Sequence, residues 1–313
     1  MSVRLVHVLS ENWTLTQPRD LRALVGMAQE AEDAGFDAVM VSEHVVLGPG
    51  ADADGLMPNP RDYALPGNQD PATPWPSSIV LLSAIAAATT TLRLAASAII
   101  APLRHPLLLA KDLATLDLLS EGRLVVQPTV GWHEPEHAAL GVPFADRGAL
   151  LDEHLAAWRA AWGPSPASFA GEHYRFEDVW LEPKPFREDG VRLWLGSSTL
   201  HDRLLRRLVE YGHGWNPLGR PTDEDVARLR TALAEAGRDP ADIELVGGTR
   251  GRFPDANSPA DLDAALATIP AQLERGFASI CIKPSQFLDD RSRHVEWCRE
   301  VVRKVAAMTT GDA

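Results

Sequence analysis

The chain has 313 residues, 45% hydrophobic and 23% charged, which supplies a sizeable core and excludes a largely disordered polypeptide. Thirty Lys and Arg against 43 Asp and Glu leave a net charge of −13, which repels phosphate backbones and anionic bilayers and argues against a nucleic-acid or membrane partner. The opening MSVRLVHVLS is too short and interrupted for a signal-peptide core, no apolar run approaches the roughly 18 residues of a membrane span, and the cytoplasm is the expected location.

Short β-favouring runs recur at residues 3–9, 37–42, 93–99, 123–127, 192–195, 213–216, 243–247 and 278–282. Helical patterns lie between and after them at 19–34, 77–89, 106–119, 146–162, 200–211, 222–236, 259–275 and 289–307, most opened by Pro, Ser, Asp or Thr. This alternation predicts an α/β fold, a (β/α)8 TIM barrel formed by residues 1–313 as one domain; a doubly wound sheet is the alternative topology. Two insertions interrupt the repeat. Residues 48–76, after the second strand, are rich in Pro, Gly, Asp and Asn, and a loop of that length in a barrel is functional or mobile. Residues 164–191, after the fourth strand, contain the alternating HYRFEDVWL, which predicts a small strand or hairpin beside the barrel, shaping the mouth or a subunit contact.

Several residues along this frame are suited to chemistry. Glu43 and His44 follow the second strand, where a barrel presents its catalytic groups, and histidine is the side chain best matched to proton transfer near neutral pH; a capping histidine is the bland reading. The third strand ends in AASAII, whose small residues admit either a flat ring or close core packing. HEPEH at 133–137 formally matches a zinc-protease signature, but Pro135 is incompatible with one helix running through both histidines, so no metal is expected. With Cys281 and Cys298 the only cysteines, both read as core thiols. GSST at 196–199 links a strand to a helix, an arrangement that presents N–H groups to an anion. Trp13, Trp75 and Trp215 stand in loops or at strand ends and fit either an apolar substrate pocket or structural burial.

The phrases AEDAGFDAVMVSEHVV, RHPLLLAKDLATLDLLSEGRL, GWHEPEHAALGVPFADRG, EPKPF and GHGWNPLG closely resemble, in order and spacing, the luciferase-like oxidoreductases that use a flavin or the deazaflavin coenzyme F420. The resemblance weakens after about residue 250. It implies a luciferase-like barrel holding the cofactor at the C-terminal ends of its strands, with His44 and Glu43 beside the reactive face. It places Ser97, Ala98 and Ile100 behind the ring, with a non-proline cis bond at Ser97–Ala98, and Val130, Gly131 and Trp132 along its border. The cofactor phosphate falls to Gly196, Ser197, Ser198 and Thr199, and Glu136 has a counterpart facing the pocket. The chain departs from the family where Ala95–Ala98 replace Gly-Thr-Gly-Val, where Gln127–Val130 replace a glycine-rich run, and where Ser replaces Gly near 197.

EHVV, PLRHPLLLAKDLATLD and the GW…ALGVPFADRG run most resemble the F420 branch. The expectation is hydride transfer between deazaflavin C5 and a small organic substrate, with His44 moving the proton, in a homodimer. An FMN-dependent monooxygenase on the same scaffold is one alternative, and a cofactor-free barrel acting as a binding module is another.

Overall fold

The computed structural model describes residues 3–310; the remaining ends of the expected 1–313 domain lie outside the described residues. Period-two alternation of the strands sets the architecture. Strands β1 (Arg4–Val8), β2 (Ala38–Val41), β3 (Arg93–Ile100) and β4 (Leu124–Thr129) run parallel. They close into a barrel with β7 (Arg192–Leu195), β8 (Gly214–Trp215), β9 (Glu244–Gly248) and β10 (Phe277–Ile282), in the order β1-β10-β9-β8-β7-β4-β3-β2. Between β4 and β7, β5 (Ala167–Ala170) and β6 (Arg175–Val179) form a separate antiparallel pair, the hairpin expected from HYRFEDVWL.

Two apolar shells follow from the alternation. Inward side chains, among them Val6, Val8, Met40, Ala95, Val125, Trp194, Val246 and Cys281, fill the barrel, joined by Tyr63 from the long loop after β2. Outward ones pack against α1 (Leu21–Ala34), α2 (Ser78–Ala88), α3 (Pro106–Leu119), α5 (Arg147–Trp162), α6 (Asp202–Tyr211), α7 (Asp223–Glu235) and α10 (His294–Thr310). At the N-terminal end of the barrel, Glu244 accepts from both Arg93 guanidinium nitrogens at 3.0 and 2.9 Å, from Trp194 Nε1 at 3.2 Å and from Ser279 Oγ, with Arg4 at 3.2 Å. Burial pushes the Glu244 carboxyl up, but the Arg93 guanidinium outweighs it and holds the group below the usual carboxylate range.

Three details differ from the sequence reading. The helix expected over 259–275 is two, α8 (Leu262–Leu266) and α9 (Ile269–Glu274), because Pro270 cannot continue a helix but is accommodated in a first turn. A short α4 (Glu134–Ala139) begins inside HEPEH: Pro135 sits in its first turn, and His133 remains outside as the N-cap. The last helix starts at His294, after a 3-10 turn at Arg291–Arg293. Among the described residues no helix is long and apolar enough to cross a membrane.

Candidate active site

The C-terminal ends of the barrel strands assemble one cluster around His44. Its Nδ1 lies 2.9 Å from Glu136 Oε2, and Glu136 Oε1 accepts the N–H groups of Val45 at 2.6 Å and Val46 at 3.3 Å. Glu136 is fully buried, and these three donors compensate the desolvation of its carboxylate. Trp75 and Trp132 meet the His44 ring edge-on, with centroids at 5.4 and 5.7 Å, so two indoles and a carboxylate fix the imidazole's orientation. His133 accepts the Gly48 N–H through Nε2 at 2.9 Å, anchoring the start of the long loop, and burial pushes its pKa down although Glu136 opposes that. The ring nitrogens of His137 face the carbonyls of His133 and Val130 at 3.1 and 3.0 Å. HEPEH thus builds a hydrogen-bonded support for His44, with its histidines engaged by backbone groups.

Glu43 turns the other way. Arg104 binds its two oxygens at 2.7 and 3.1 Å, Ser78 Oγ donates at 2.7 Å and the Ile100 N–H at 3.3 Å. The resemblance implied Glu43 beside the reactive face together with His44; here its carboxylate is bonded to Arg104, Ser78 and the Ile100 N–H and ties β2 to the end of β3.

The inward positions one step beyond the apolar layer are polar: Ser97 after Ala95 in β3, Gln127 after Val125 in β4 and Asn216 after Gly214 of β8. Ser97 Oγ donates to Gln127 Oε1 at 2.5 Å and Asn216 Nδ2 to the same oxygen at 2.7 Å. Gln127 Nε2 is buried with no acceptor among the described residues, and so is Trp75 Nε1. The Ser97–Ala98 peptide is cis, and the β3–β4 register shifts between Ser97 and Ile99. Gln127 and Asn216 did not stand out as site residues in the sequence; counting inward positions by twos from Val125 and Gly214 was the signal that could have found them.

Val130, Gly131 and Trp132 form a strap after β4. Gly131 has φ +76°, and a Cβ there would come within 2.8 Å of His137 Cε1 and 2.9 Å of Ile100 Cγ2, so glycine is needed for the strap to lie against the β3 end. Gly196 is required too: a Cβ would stand 1.9 Å from Asn216 O. Ser197, half-buried, accepts the Leu218 N–H through its carbonyl at 3.1 Å, while Ser198 and Thr199 are exposed. The helix that follows begins only at Asp202 and is capped by His201, whose Nδ1 accepts the Leu204 N–H. The 196–199 turn therefore offers an anion its own backbone and hydroxyl donors, separate from a helix end already capped by the protein.

Trp13 lies half-buried in the loop after β1, at the same end of the barrel, without ring contact to His44. Trp215 is not in the mouth. Gly214 faces Trp194 inside the barrel, so the next residue must point outward, and Trp215 packs among Leu195, Leu208, Val226 and Phe277. Elsewhere, His7, His294 and Cys298 bring their ligand atoms within 4.8 Å of one another. His7 Nε2 and His294 Nε2 are only 2.8 Å apart, closer than the roughly 3.3 Å expected for two imidazoles on one zinc ion. With His294 Nδ1 bonded to Glu30 at 2.6 Å, Glu30, His294 and His7 form a hydrogen-bonded relay.

Comparison with known proteins agrees with this architecture. The model of the family described as luciferase-like monooxygenase matches residues 4–278. An uncharacterized protein of Mycobacterium tuberculosis is 35% identical over 217 residues, 68% of this chain and 74% of that one. The FMNH(2)-dependent dimethylsulfone monooxygenase of Pseudomonas putida is 31% identical over 176 residues, 55% of this chain and 42% of the enzyme. Among solved structures, an F420-dependent secondary alcohol dehydrogenase in complex with an F420-acetone adduct superposes with a TM-score of 0.70 at 16% identity, covering 97% of this chain and 99% of that one. A closed parallel barrel, a His–Glu pair at its C-terminal mouth and a family match along most of the sequence lead to one assignment: the chain is an oxidoreductase belonging to the luciferase-like monooxygenase family.

Proposed function

We propose that this chain is an F420-dependent oxidoreductase acting on a small organic substrate, with His44 as the acid or base. The carrying observation is the His44–Glu136 pair set between two indoles beside two buried donors, Trp75 Nε1 and Gln127 Nε2, that lack protein acceptors. An unsatisfied buried donor costs about 1–3 kcal/mol, so both sites favour a ligand rich in acceptors, and the carbonyls and ring nitrogens of a deazaflavin or flavin meet that requirement.

When bound, F420 supplies a two-electron hydride carrier at C5. The chain's own residues do the rest. Ser97, Ala98 and Ile100 support the ring from the β3 end, Val130–Trp132 border it, and Gly196–Thr199 donate to its phosphate. His44 Nε2, the ring nitrogen not facing Glu136, exchanges the proton with substrate, while Glu136 fixes the tautomer and the orientation of the ring. Trp75 and Trp132 exclude water and favour an apolar substrate portion, with Trp13 as a further wall of that pocket.

The printed name of the Pseudomonas relative favours a second reading, FMN with oxygen as co-substrate. Titrating purified protein with F420 and, separately, FMN decides between them. Tight F420 binding that Ser97→Trp abolishes, with circular dichroism showing an intact barrel, supports the first reading; preference for FMN supports the second. Binding of neither overturns both.

A further inference from the structure

Two segments at the mouth, the Val130–Trp132 strap and the 196–199 turn, are connected on its outer side at Gly148, in the first turn of α5. On the strap side, the Val130 carbonyl faces His137 Nε2 at 3.0 Å, and the His137 ring meets Phe144 edge-on with centroids 5.1 Å apart. The Arg147 guanidinium lies 3.7 Å over that same Phe144 ring. On the other side, the 196–199 turn leads into α6, whose Arg203 guanidinium occupies the place that a Cβ of residue 148 would take, so glycine there admits it. Arg207, one turn on, donates through Nη2 to the Gly148 carbonyl at 2.7 Å. The start of α5 and the start of α6 therefore flank one arginine-lined groove.

The charges in this groove do not balance. Asp152 of α5 takes Arg207 Nε at 2.7 Å, Arg206 Nη2 at 3.1 Å and Arg203 Nε at 3.8 Å, and among the described residues none of these three arginines has another ion-pair partner. Three guanidinium groups on one carboxylate leave two positive charges over. Arg207 is the structural member, with 7% of its side chain exposed, whereas Arg203 and Arg206 are 52% and 60% exposed and available to a ligand. Arg147 adds a further cation: its Nη1 donates to the Phe144 carbonyl at 2.7 Å, and its Nε is buried with no acceptor among the described residues. A charged donor left unmet is costlier than a neutral one, so the groove favours an anion. On a chain of net charge −13, this is a local excess of the opposite sign.

We propose that Arg147, Arg203 and Arg206 form a subsite for a polyanionic extension of the cofactor, the chain of γ-linked glutamates that F420 carries beyond its phosphate and FMN lacks. The proposal rests on the F420 reading above and names the part of the ligand that separates the two cofactors. A phosphate held by the 196–199 turn delivers whatever follows it to the start of α6, where Arg203 stands. Arg203 and Arg206 are three residues apart, about 4.5 Å along the helix. One γ-linked glutamate covers that step, being longer than an α-linked residue of about 3.5 Å. Successive carboxylates then meet successive guanidinium groups, whose planar fork fits them.

Binding measurements test it without turnover. The wild-type protein is titrated, followed by deazaflavin fluorescence, with F420 bearing several glutamates and with the same molecule lacking them, at low and at high potassium chloride; FMN is titrated alongside. The expected result is about fivefold to tenfold tighter binding of the glutamylated form at low salt, since a few exposed ion pairs contribute that much. The difference should shrink at high salt. It should vanish in the double variant Arg203→Glu with Arg206→Glu, its fold checked by circular dichroism. Arg203→Gln, which should halve the difference or more, serves if the double variant does not fold. Equal binding of the two forms by the wild type, or a difference that survives the charge reversal, overturns the subsite and leaves the F420 reading standing. Binding of neither form, or preference for FMN over the glutamate-free form, overturns the reading and the subsite together.

Discussion

His44 Nδ1 and Glu136 Oε2 stand 2.9 Å apart although 92 residues separate them, one at the end of β2 and the other inside α4. The pairing makes the imidazole's position depend on a second segment of chain. It also assigns the two residues different losses on mutation. His44→Ala is expected to lower kcat by about 10²–10⁴-fold with cofactor affinity changed little, since proton transfer by a positioned side chain contributes about that much. Steady-state kinetics beside a cofactor titration check this; a parallel loss of cofactor binding would make His44 a binding residue.

Glu136→Ala removes the acceptor of two backbone N–H groups as well as the partner of His44. Each orphaned donor costs about 1–3 kcal/mol. Urea denaturation should show this destabilisation, larger than for Glu136→Gln, which retains one acceptor oxygen.

Arg104→Met leaves the buried Glu43 carboxylate without its guanidinium and is expected to cost about 3–5 kcal/mol. Combining it with Glu43→Leu should recover part of that loss, because the uncompensated charge is then gone. A double variant no more stable than the single would show that the ion pair is not the source.

Stability is expected to fall in mild acid through His213. Burial, aided by Arg192, holds this imidazole down at about 4, and its Nδ1 accepts the Leu193 N–H at 3.1 Å. The folded state keeps the ring neutral while the unfolded chain takes up a proton near pH 6.5, so the contribution is complete above that pH and is lost as pH falls toward 4. Allowing for the ring's partial exposure, the loss is about 2 kcal/mol. Guanidinium titrations between pH 7 and 4 should show a shallower decline for His213→Asn than for the parent.

Trp75→Phe deletes a buried N–H that has no protein acceptor. The variant should be as stable as the parent or slightly more so, since it sheds an unsatisfied donor, yet bind its cofactor or substrate more weakly by about 0.5–1.5 kcal/mol. Unchanged affinity would remove Trp75 from the binding surface.

The barrel was legible because its strands, buried on both faces, read as short continuous apolar runs in regular alternation with helical patterns that open on recognisable first-turn residues. Legibility failed where an element was too short to carry a period. β8 has two residues, so nothing in HGWN told whether Trp215 or its neighbours faced the mouth; the answer lay in Gly214 packing against Trp194. Pro135 and Pro270 were informative residues whose meaning depended on their place in a helical turn. Contacts such as Arg250 with Asp62, 188 residues apart, depend on how a long loop lies across the barrel, and local pattern carries no information about that.

The Glu244 assembly has a consequence for how stiffness is shared between the two ends. Arg4, Arg93, Trp194 and Ser279 gather on one carboxylate across the N-terminal end, so β1, β3, β7 and β10 are cross-tied through β9 at the base. With the interior filled by side chains, that base is the braced end of the barrel, and room for variation falls to the loops at the opposite end, where His44 and Glu136 meet.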